Sequence, residues 1–393
     1  MPEIRHVDLF AGTGGICTGF HAAGIKTLLA IEKVESCVET YKANHKTVPV
    51  IRKDIRKVTA KEIKQLVKLP IHVVSAGMPC ETFSTAGSTS RSSYDHRQFL
   101  FMEAVRIAKI VKAKLILFEN VPAIKTKTTQ KGGGSLIVDK IYDELSAQGY
   151  KYCIETILNA SNFGVPQYRE RFFILATNDK RLQSKLKVPV SCHNGKISVN
   201  QAFAGLPPVN PNTDDDIESY LNRESDYSTL MKDNVFWRSE DELKRLTYHI
   251  APNHRQGTLE RFLLIKPGEG LKDLFDKLDR RTIVRLQEKK VLPKKWYIQR
   301  NRRLIGECPS VTVTSHCLDE LVHPDENRAL TVREVARLQS FPDVYDFKGG
   351  PLICPHMYET QDKYEQVGDA VPPLLAYAWG KVINEIFLKS NGL

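Results

Sequence analysis

The sequence has no CxxC pair, no apolar run long enough to cross a bilayer, and no internal repeat or low-complexity segment. Bilayer-spanning helices need about 20 mostly apolar residues. The start of the chain also lacks the basic region and apolar core of a secretory signal. No membrane partner is expected, and intracellular residence is. The eight cysteines (Cys17, Cys37, Cys80, Cys153, Cys192, Cys308, Cys317 and Cys354) fit neither a zinc site nor a disulfide framework. Most read as small buried hydrophobes. Cys192-His193 and Cys354-Pro355-His356 each offer half a metal site without a matching half, so no metal is expected. Acidic surplus is absent too: 57 Lys and Arg against 46 Asp and Glu leave a net charge of +11. That surplus suits a polyanion such as nucleic acid, and it also suits plain solubility.

What remains is an ordinary globular composition, 41% hydrophobic and 26% charged. A chain of 393 residues has room for two domains, one inserted into the other. From Ile4 to about Thr177, short apolar runs alternate with amphipathic ones, the rhythm of an α/β doubly wound, Rossmann-like sheet. The expected strands are Arg5–Phe10, Thr27–Glu32, Val48–Arg52, His72–Ala76, Leu115–Glu119, Tyr152–Leu158 and Arg171–Ala176. Gln98–Lys112 and Ser135–Gln148 carry the clearest helical spacing. From Asn178 to Pro309 the rhythm stops, and basic clusters appear around Trp296 and Tyr297: Lys289-Lys290, Lys294-Lys295, and Arg300, Arg302 and Arg303. Stacking residues among cations sometimes face phosphates. Helices at Thr331–Gln339 and Pro372–Leu388 restore regular structure.

Two strand ends carry chemistry. Gly77-Met78-Pro79-Cys80 closes one apolar run, and Glu119-Asn120-Val121 closes another one helix later. Open α/β sheets bind ligands at the carboxyl ends of their strands, so a thiol and a carboxylate are expected to converge on one crevice. A third end supplies a cofactor loop. Asp8-Leu9-Phe10-Ala11-Gly12-Thr13-Gly14-Gly15 follows the first strand and opens a helix, where glycines let backbone approach a ligand. Glu32 ends the second strand, where an acidic residue grips ribose hydroxyls. Asp54 follows the third and can accept from an adenine amino group. The third spaced glycine of the pyrophosphate-binding fingerprint is missing. A nucleoside cofactor without pyrophosphate, such as S-adenosyl-L-methionine, meets that pattern.

These pieces together resemble the cytosine-C5 DNA methyltransferase family. DLFAGTGG is similar to its first motif, GMPCETFS to its proline–cysteine motif, FENV to its glutamate–asparagine–valine motif, and Gln167-Tyr168-Arg169-Glu170-Arg171 to its QxRxR motif. Leu330–Gln339 and Gly368-Asp369-Ala370-Val371-Pro372 resemble its last two. The order is the family's, and only Asn178–Pro309 is uncovered. The resemblance implies a catalytic domain in residues 1–177, a smaller inserted target-recognition domain in 178–309, and a return segment in 310–393.

It also implies roles. Cys80 adds to C6 of a flipped-out cytosine, Glu119 supplies a proton or hydrogen bond at N3, Asn120 orients the loop, and Arg171, with Arg169 beside it, holds O2 and the glutamate. Phe10, Ala11, Gly12, Thr13, Gly14, Gly15, Glu32, Lys33, Asp54, Ile55, Gly77, Pro79, Leu100, Asp369 and Ala370 surround the cofactor, whose product is S-adenosyl-L-homocysteine. Ser84, Arg91, Arg97, Lys294, Lys295, Arg300, Arg302 and Arg303 are the expected contacts to double-stranded DNA. The Ser84–Gln98 loop is expected to be mobile without DNA and to close over the flipped base. Two residues depart from the family pattern: Glu81 stands where glutamine is usual, and Asp369 where asparagine is. A transfer-RNA branch usually has a second proline before the cysteine and a Cys-Phe-Thr tripeptide; this chain has Met78 and lacks the tripeptide. A catalytically silent DNA-binding homologue would have lost the cysteine, the glutamate or the glycines, and a small-molecule methyltransferase would need no thiol. The implied setting is a monomer in the cytoplasm of a bacterial, or phage- or virus-infected, host, with a restriction endonuclease as possible companion.

Overall fold

The computed structural model describes residues 3–79, 96–130, 133–191, 195–213, 218–353 and 360–388. Cys80, Glu81, Ser84 and Arg91, with most of the Ser84–Gln98 loop, lie outside the described residues, as do Cys192-His193 and Cys354-Pro355-His356.

All seven expected strands form, in one sheet. β1 (Arg5–Leu9), β2 (Lys26–Glu32), β3 (Val50–Arg52), β4 (Val73–Gly77), β5 (Leu115–Asn120), β6 (Tyr152–Asn159) and β7 (Glu170–Thr177) lie in the order β3-β2-β1-β4-β5-β7-β6. The first five run parallel, while β7 enters antiparallel between β5 and β6. Every residue of β5, and all but the last of β4, is buried. Parallel strands covered on both faces read as continuous apolar runs, which is why these two are so plain in the sequence.

Helices α1 (Gly15–Ala22), α2 (Glu35–Asn44), α3 (Ala60–Leu66), α4 (Leu100–Ile110) and α5 (Ile137–Ala147) follow from the connections. Alternate strand residues divide between two cores. Val73, Leu115, Leu117 and Phe173 face α1 and the C-terminal helix, and Val74, Ile116, Ile174 and Phe118 face α4 and α5. A further helix in the middle of the chain is α6 (Arg280–Glu288). The return segment carries α7 (Val332–Leu338), α8 (Lys363–Asp369) and α9 (Pro373–Leu388).

α9 lies against α1 because two glycines permit it. A Cβ on Gly15 would sit 2.2 Å from the Val371 carbonyl oxygen, and one on Gly19 2.2 Å from that of Pro373. This contact holds the end of the chain beside the first glycine loop.

The middle region is not one packing unit. Phe262, Ile265, Leu271, Leu274, Leu292 and Val322 form a small separate core under α6. Val199, Phe203, Tyr227, Met231 and Trp237 instead join the large core with α7 and α9. Buried arginines fasten that junction. Arg337 forks onto Asp343 at 2.9 and 2.7 Å and donates to the carbonyls of Ala202 and Ala204. Arg333 reaches Thr247, Pro342 and Tyr345, and Arg328 forks onto Glu334. Burial alone would raise the Asp343 carboxyl, but the Arg337 guanidinium outweighs it and holds the group below its ordinary 3.8.

Arg337→Met should therefore lower the free energy of unfolding by about 3–5 kcal/mol at neutral pH, since it strands a buried carboxylate. With Arg333, 3.9 Å away, as its remaining cation, Asp343 takes up a proton at higher pH than it does beside Arg337. The deficit in urea-melt midpoint should thus shrink as the pH falls towards 4 to 5. A deficit that stays constant over that range would refute the role given to the pair.

Candidate active site

β4 and β5 are hydrogen-bonded neighbours, and Gly77 is registered against Glu119. The two strand ends singled out in the sequence therefore meet. Glu119 is 8% exposed. Its Oε1 lies 2.9 Å from Arg171 Nε, on the adjacent strand β7. Its Oε2 faces the other way, 3.5 Å from where a Gly77 Cβ would be. That spacing is ordinary van der Waals contact, so the carboxylate lies against the Gly77 backbone at the strand ends. Asn120 joins the same two segments: its Nδ2 donates to the Met78 carbonyl at 3.4 Å, and its Oδ1 accepts from Val121 N–H at 2.8 Å. Cys80, two residues past Met78, lies outside the described residues.

Burial raises the Glu119 carboxyl above its ordinary 4.5, and the charges of Arg171 and Arg169 pull it down by less. The net direction is upward. The site thus holds a carboxyl group that keeps its proton to higher pH than a free glutamate, fixed by one arginine at one oxygen. Such a group can donate to a ring nitrogen.

Arg169 sits elsewhere. It is 1% exposed and donates to the carbonyls of Val313, Gly368 and Ala370. It braces the return segment against β7 and does not share Arg171's contact with Glu119. Gln167 does similar work, donating to Leu338 O and Gln339 Oε1 while its own Oε1 accepts from Val313 N–H.

The glycine loop is shaped for close approach. Phe10, Gly12 and Gly14 have φ of 54°, 53° and 95°, and a Cβ on Gly12 would meet nothing within 4 Å. Glu32 holds the loop: one oxygen accepts from Gly12 N–H at 2.9 Å, the other from Lys33 N–H and Val34 N–H at 2.7 and 2.8 Å. Thr13 is pinned from the return segment, its carbonyl accepting from Tyr345 Oη and its hydroxyl donating to Gln366 O at 3.3 Å. Asp54 is engaged by Arg56, whose Nε and backbone N–H lie 2.9 and 3.0 Å from Oδ1. That contact holds the carboxyl at about 2, so it stays ionised. Ile55 and Leu100 are buried, and Lys33 is exposed. Asp369 accepts from Gln361 at 2.9 Å, and the Ala370 carbonyl is taken by Arg169. An open glycine loop with one carboxylate at each of the next two strand ends fits a nucleoside cofactor of the expected kind.

Under the loop runs a buried polar chain that the sequence did not reveal. His6 bridges Thr27 at 2.9 Å and Ser75 at 2.7 Å, and Ser75 Oγ donates to Asp8 Oδ1 at 2.7 Å. Desolvation lowers His6 to about 3 and raises Asp8 to about 7. The residues come from three different strands, and no local pattern links them.

The expected DNA contacts fare unevenly. Lys294 and Lys295 are exposed. Arg97 is half-buried at the foot of α4. Arg300 is paired with Asp319 at 2.7 Å, and Arg302 donates to Gly268 O. Arg303 corrects the expectation outright. It is 5% exposed, and its guanidinium donates to the carbonyls of Phe262, Ile265, His323, Pro324 and Glu326 and to Asn327 Oδ1. No donor is left for a phosphate.

Among the described residues no cluster of His, Cys, Asp and Glu could hold a metal ion, and no helix is long and apolar enough to cross a membrane.

The chain is similar to known proteins along its length. Type II methyltransferase M.DdeI of Desulfomicrobium norvegicum is 33% identical over 98% of this chain and 89% of its own. Type II methyltransferase M1.HphI of Haemophilus parahaemolyticus is 30% identical over 99% and 88%. A crystal structure of S. pombe Dnmt2 methyltransferase shares the fold at a TM-score of 0.56 and 17% identity, covering 100% of both chains. The profile of the C-5 cytosine-specific DNA methylases matches residues 4–385, and the chain belongs to that family.

Proposed function

We propose that this DNA cytosine-5-methyltransferase of the restriction-modification type works by covalent catalysis from Cys80, with Glu119 as the acid, on cytosine flipped out of double-stranded DNA. Carbon 5 of cytosine is a poor nucleophile. A thiolate adding to C6 converts the ring to an enamine, and C5 can then attack an electrophilic methyl. As electrons move towards N3, Glu119 donates there; Arg171 holds the glutamate through Nε, gives one Nη1 N–H to the Glu170 carbonyl at 2.8 Å, and would offer an N–H that is left to O2. Once C5 is methylated, loss of its proton to water, expulsion of the Cys80 sulfur as thiolate and return of the N3 proton to Glu119 restore the aromatic ring. S-adenosyl-L-methionine, when bound, supplies the methyl group as a sulfonium cation. Glu32 and Asp54 would hold its ribose and adenine, and the Phe10–Gly15 loop its amino-acid end. Extruding the base costs a few kcal/mol, which contacts to the DNA offset.

The observation that carries this reading is the Glu119 carboxyl group: buried, fixed by Arg171 at one oxygen, and turned at the other towards the strand end that precedes Cys80. We further assign residues 178–309 to target recognition, with Lys294, Lys295 and Arg300 towards phosphate. The protein would act as a monomer in the cytoplasm of its host, alongside an endonuclease cutting the same sequence. Sequencing of methylcytosine in DNA from cells expressing this protein alone tests the reading. It expects modification at carbon 5 within one short sequence, and modification of RNA only, or none, would overturn it.

The cofactor assignment has its own test. Glu32→Ala removes the acceptor for three backbone N–H groups, and hydrogen bonds to a charged group contribute about 1.5–3 kcal/mol. Affinity for S-adenosyl-L-homocysteine, measured by calorimetry, should fall about 10- to 100-fold, with a smaller change in turnover at saturating methyl donor. Unchanged affinity would remove Glu32 from the pocket.

A further inference from the structure

We infer that α6 is the base-reading helix of this enzyme, laid in the major groove of DNA with Arg281, Val284, Arg285 and Glu288 towards the base edges. The inference rests on the reading of the protein as a DNA methyltransferase and adds which surface reads the sequence.

The helix is firmly seated. Asp279 caps it, accepting from Thr282 N–H at 3.0 Å and Thr282 Oγ1 at 2.7 Å. Ile283 and Leu286, one turn apart, pack on the small core beneath. At its far end Val291 N–H closes onto Leu286 O at 2.8 Å, and Gln287 donates to Pro293 O at 3.0 Å. Behind it, a Cβ on Gly257 would lie 2.4 Å from the Lys290 carbonyl oxygen. The backbone is therefore fixed before any partner arrives.

The opposite face is exposed and unspent. Arg281, Val284, Arg285 and Glu288 fall on one stripe at helical spacing, and all four are exposed. Arg281 and Arg285 form no ion pair or side-chain hydrogen bond among the described residues, unlike Arg300, Arg302 and Arg303. From Arg280 to Lys290 the chain sets five cations against one acid, Glu288. A polyanion is the complementary partner.

The composition of the stripe points to bases and not only to phosphates. Val284 is 46% exposed between two arginines, where an apolar group adds nothing to a phosphate contact. A thymine methyl gives it a partner, as guanine gives the arginines a bidentate one and the cytosine amino group gives Glu288 a donor. A helix of nine residues is about 13.5 Å long, and the major groove is about 12 Å wide.

The test uses the full-length enzyme, a duplex carrying its mapped methylation site, and a scrambled duplex. The double variant Arg281→Ala/Arg285→Ala should lose roughly 10- to 100-fold or more of the preference for the cognate duplex. Its methylated cytosines should spread to related sequences. Val284→Lys, on an exposed position that cannot unfold the core, should bind the scrambled duplex as well as wild type or better while losing preference for the cognate one. A double variant that keeps the preference, or that loses both duplexes by the same factor, overturns the inference. So does a Val284→Lys enzyme that still discriminates. A wild-type enzyme that methylates no DNA at all defeats the underlying reading of the active site, independently of these variants.

Discussion

Cys80→Ala should abolish methyl transfer, by on the order of 10⁴-fold or more, and leave binding of cofactor and DNA largely intact. The size follows from the chemistry. Every other group in the site assists the addition at C6 or acts after it, and without a thiolate to add there is nothing for Glu119 to assist. In the chain Cys80 comes three residues after Gly77, the last residue of β4, which is registered against Glu119. Duplex DNA with 5-fluorocytosine at the methylation site makes the step visible. After methyl transfer to C5 the fluorine cannot leave as a proton does, so the carbon–sulfur bond cannot be eliminated and the enzyme stays attached. Wild-type protein should migrate with such DNA on a denaturing gel when the methyl donor is present, and Cys80→Ala should not. Residual turnover above about one part in a hundred in the alanine variant, or a denaturation-resistant complex formed by it, would contradict covalent catalysis from this residue.

The parts of this molecule that the sequence disclosed share a physical character. β4 and β5 are mostly apolar because both sheet faces are covered, and each ends abruptly in the polar or glycine residues at the crevice, so the pattern of residues alone marks these strand ends as the site. The antiparallel entry of β7 was not legible, because an apolar run is the same read in either direction and only the pairing with β5 decides it. Arginines were the other blind spot. Guanidinium remains charged whether exposed or buried, so a count of basic residues cannot separate Lys294, which is exposed, from Arg303, which is committed to backbone carbonyls. Arg169 and Arg171 are two residues apart in one motif, yet one braces α8 and the return segment and the other holds Glu119. The partners are 144 and 199 residues away in the first case and across a strand pair in the second. Motif resemblance located the pair, and only packing assigned the two jobs.

The second large effect is expected at Glu119. Glu119→Gln keeps the shape of the side chain and removes its exchangeable acid, which should cost about 10²–10⁴ in kcat/KM. Its pH profile carries more information than its size. Because burial shifts the Glu119 carboxyl upward from 4.5, the protonated acid persists into the range where a free glutamate would have lost it, and it disappears as the pH rises through the shifted value. Rising pH at the same time creates the thiolate at Cys80. Wild-type kcat/KM should therefore climb with the thiolate and carry a falling component from the acid, while the glutamine variant should retain only the rising limb. Arg171 provides the control on cause. Its guanidinium lowers the Glu119 carboxyl, so Arg171→Ala should move the falling component to higher pH while reducing the rate throughout. A falling limb that survives in Glu119→Gln belongs to another group. One that stays in place in Arg171→Ala would mean that the 2.9 Å contact does not govern the proton on which the reaction draws.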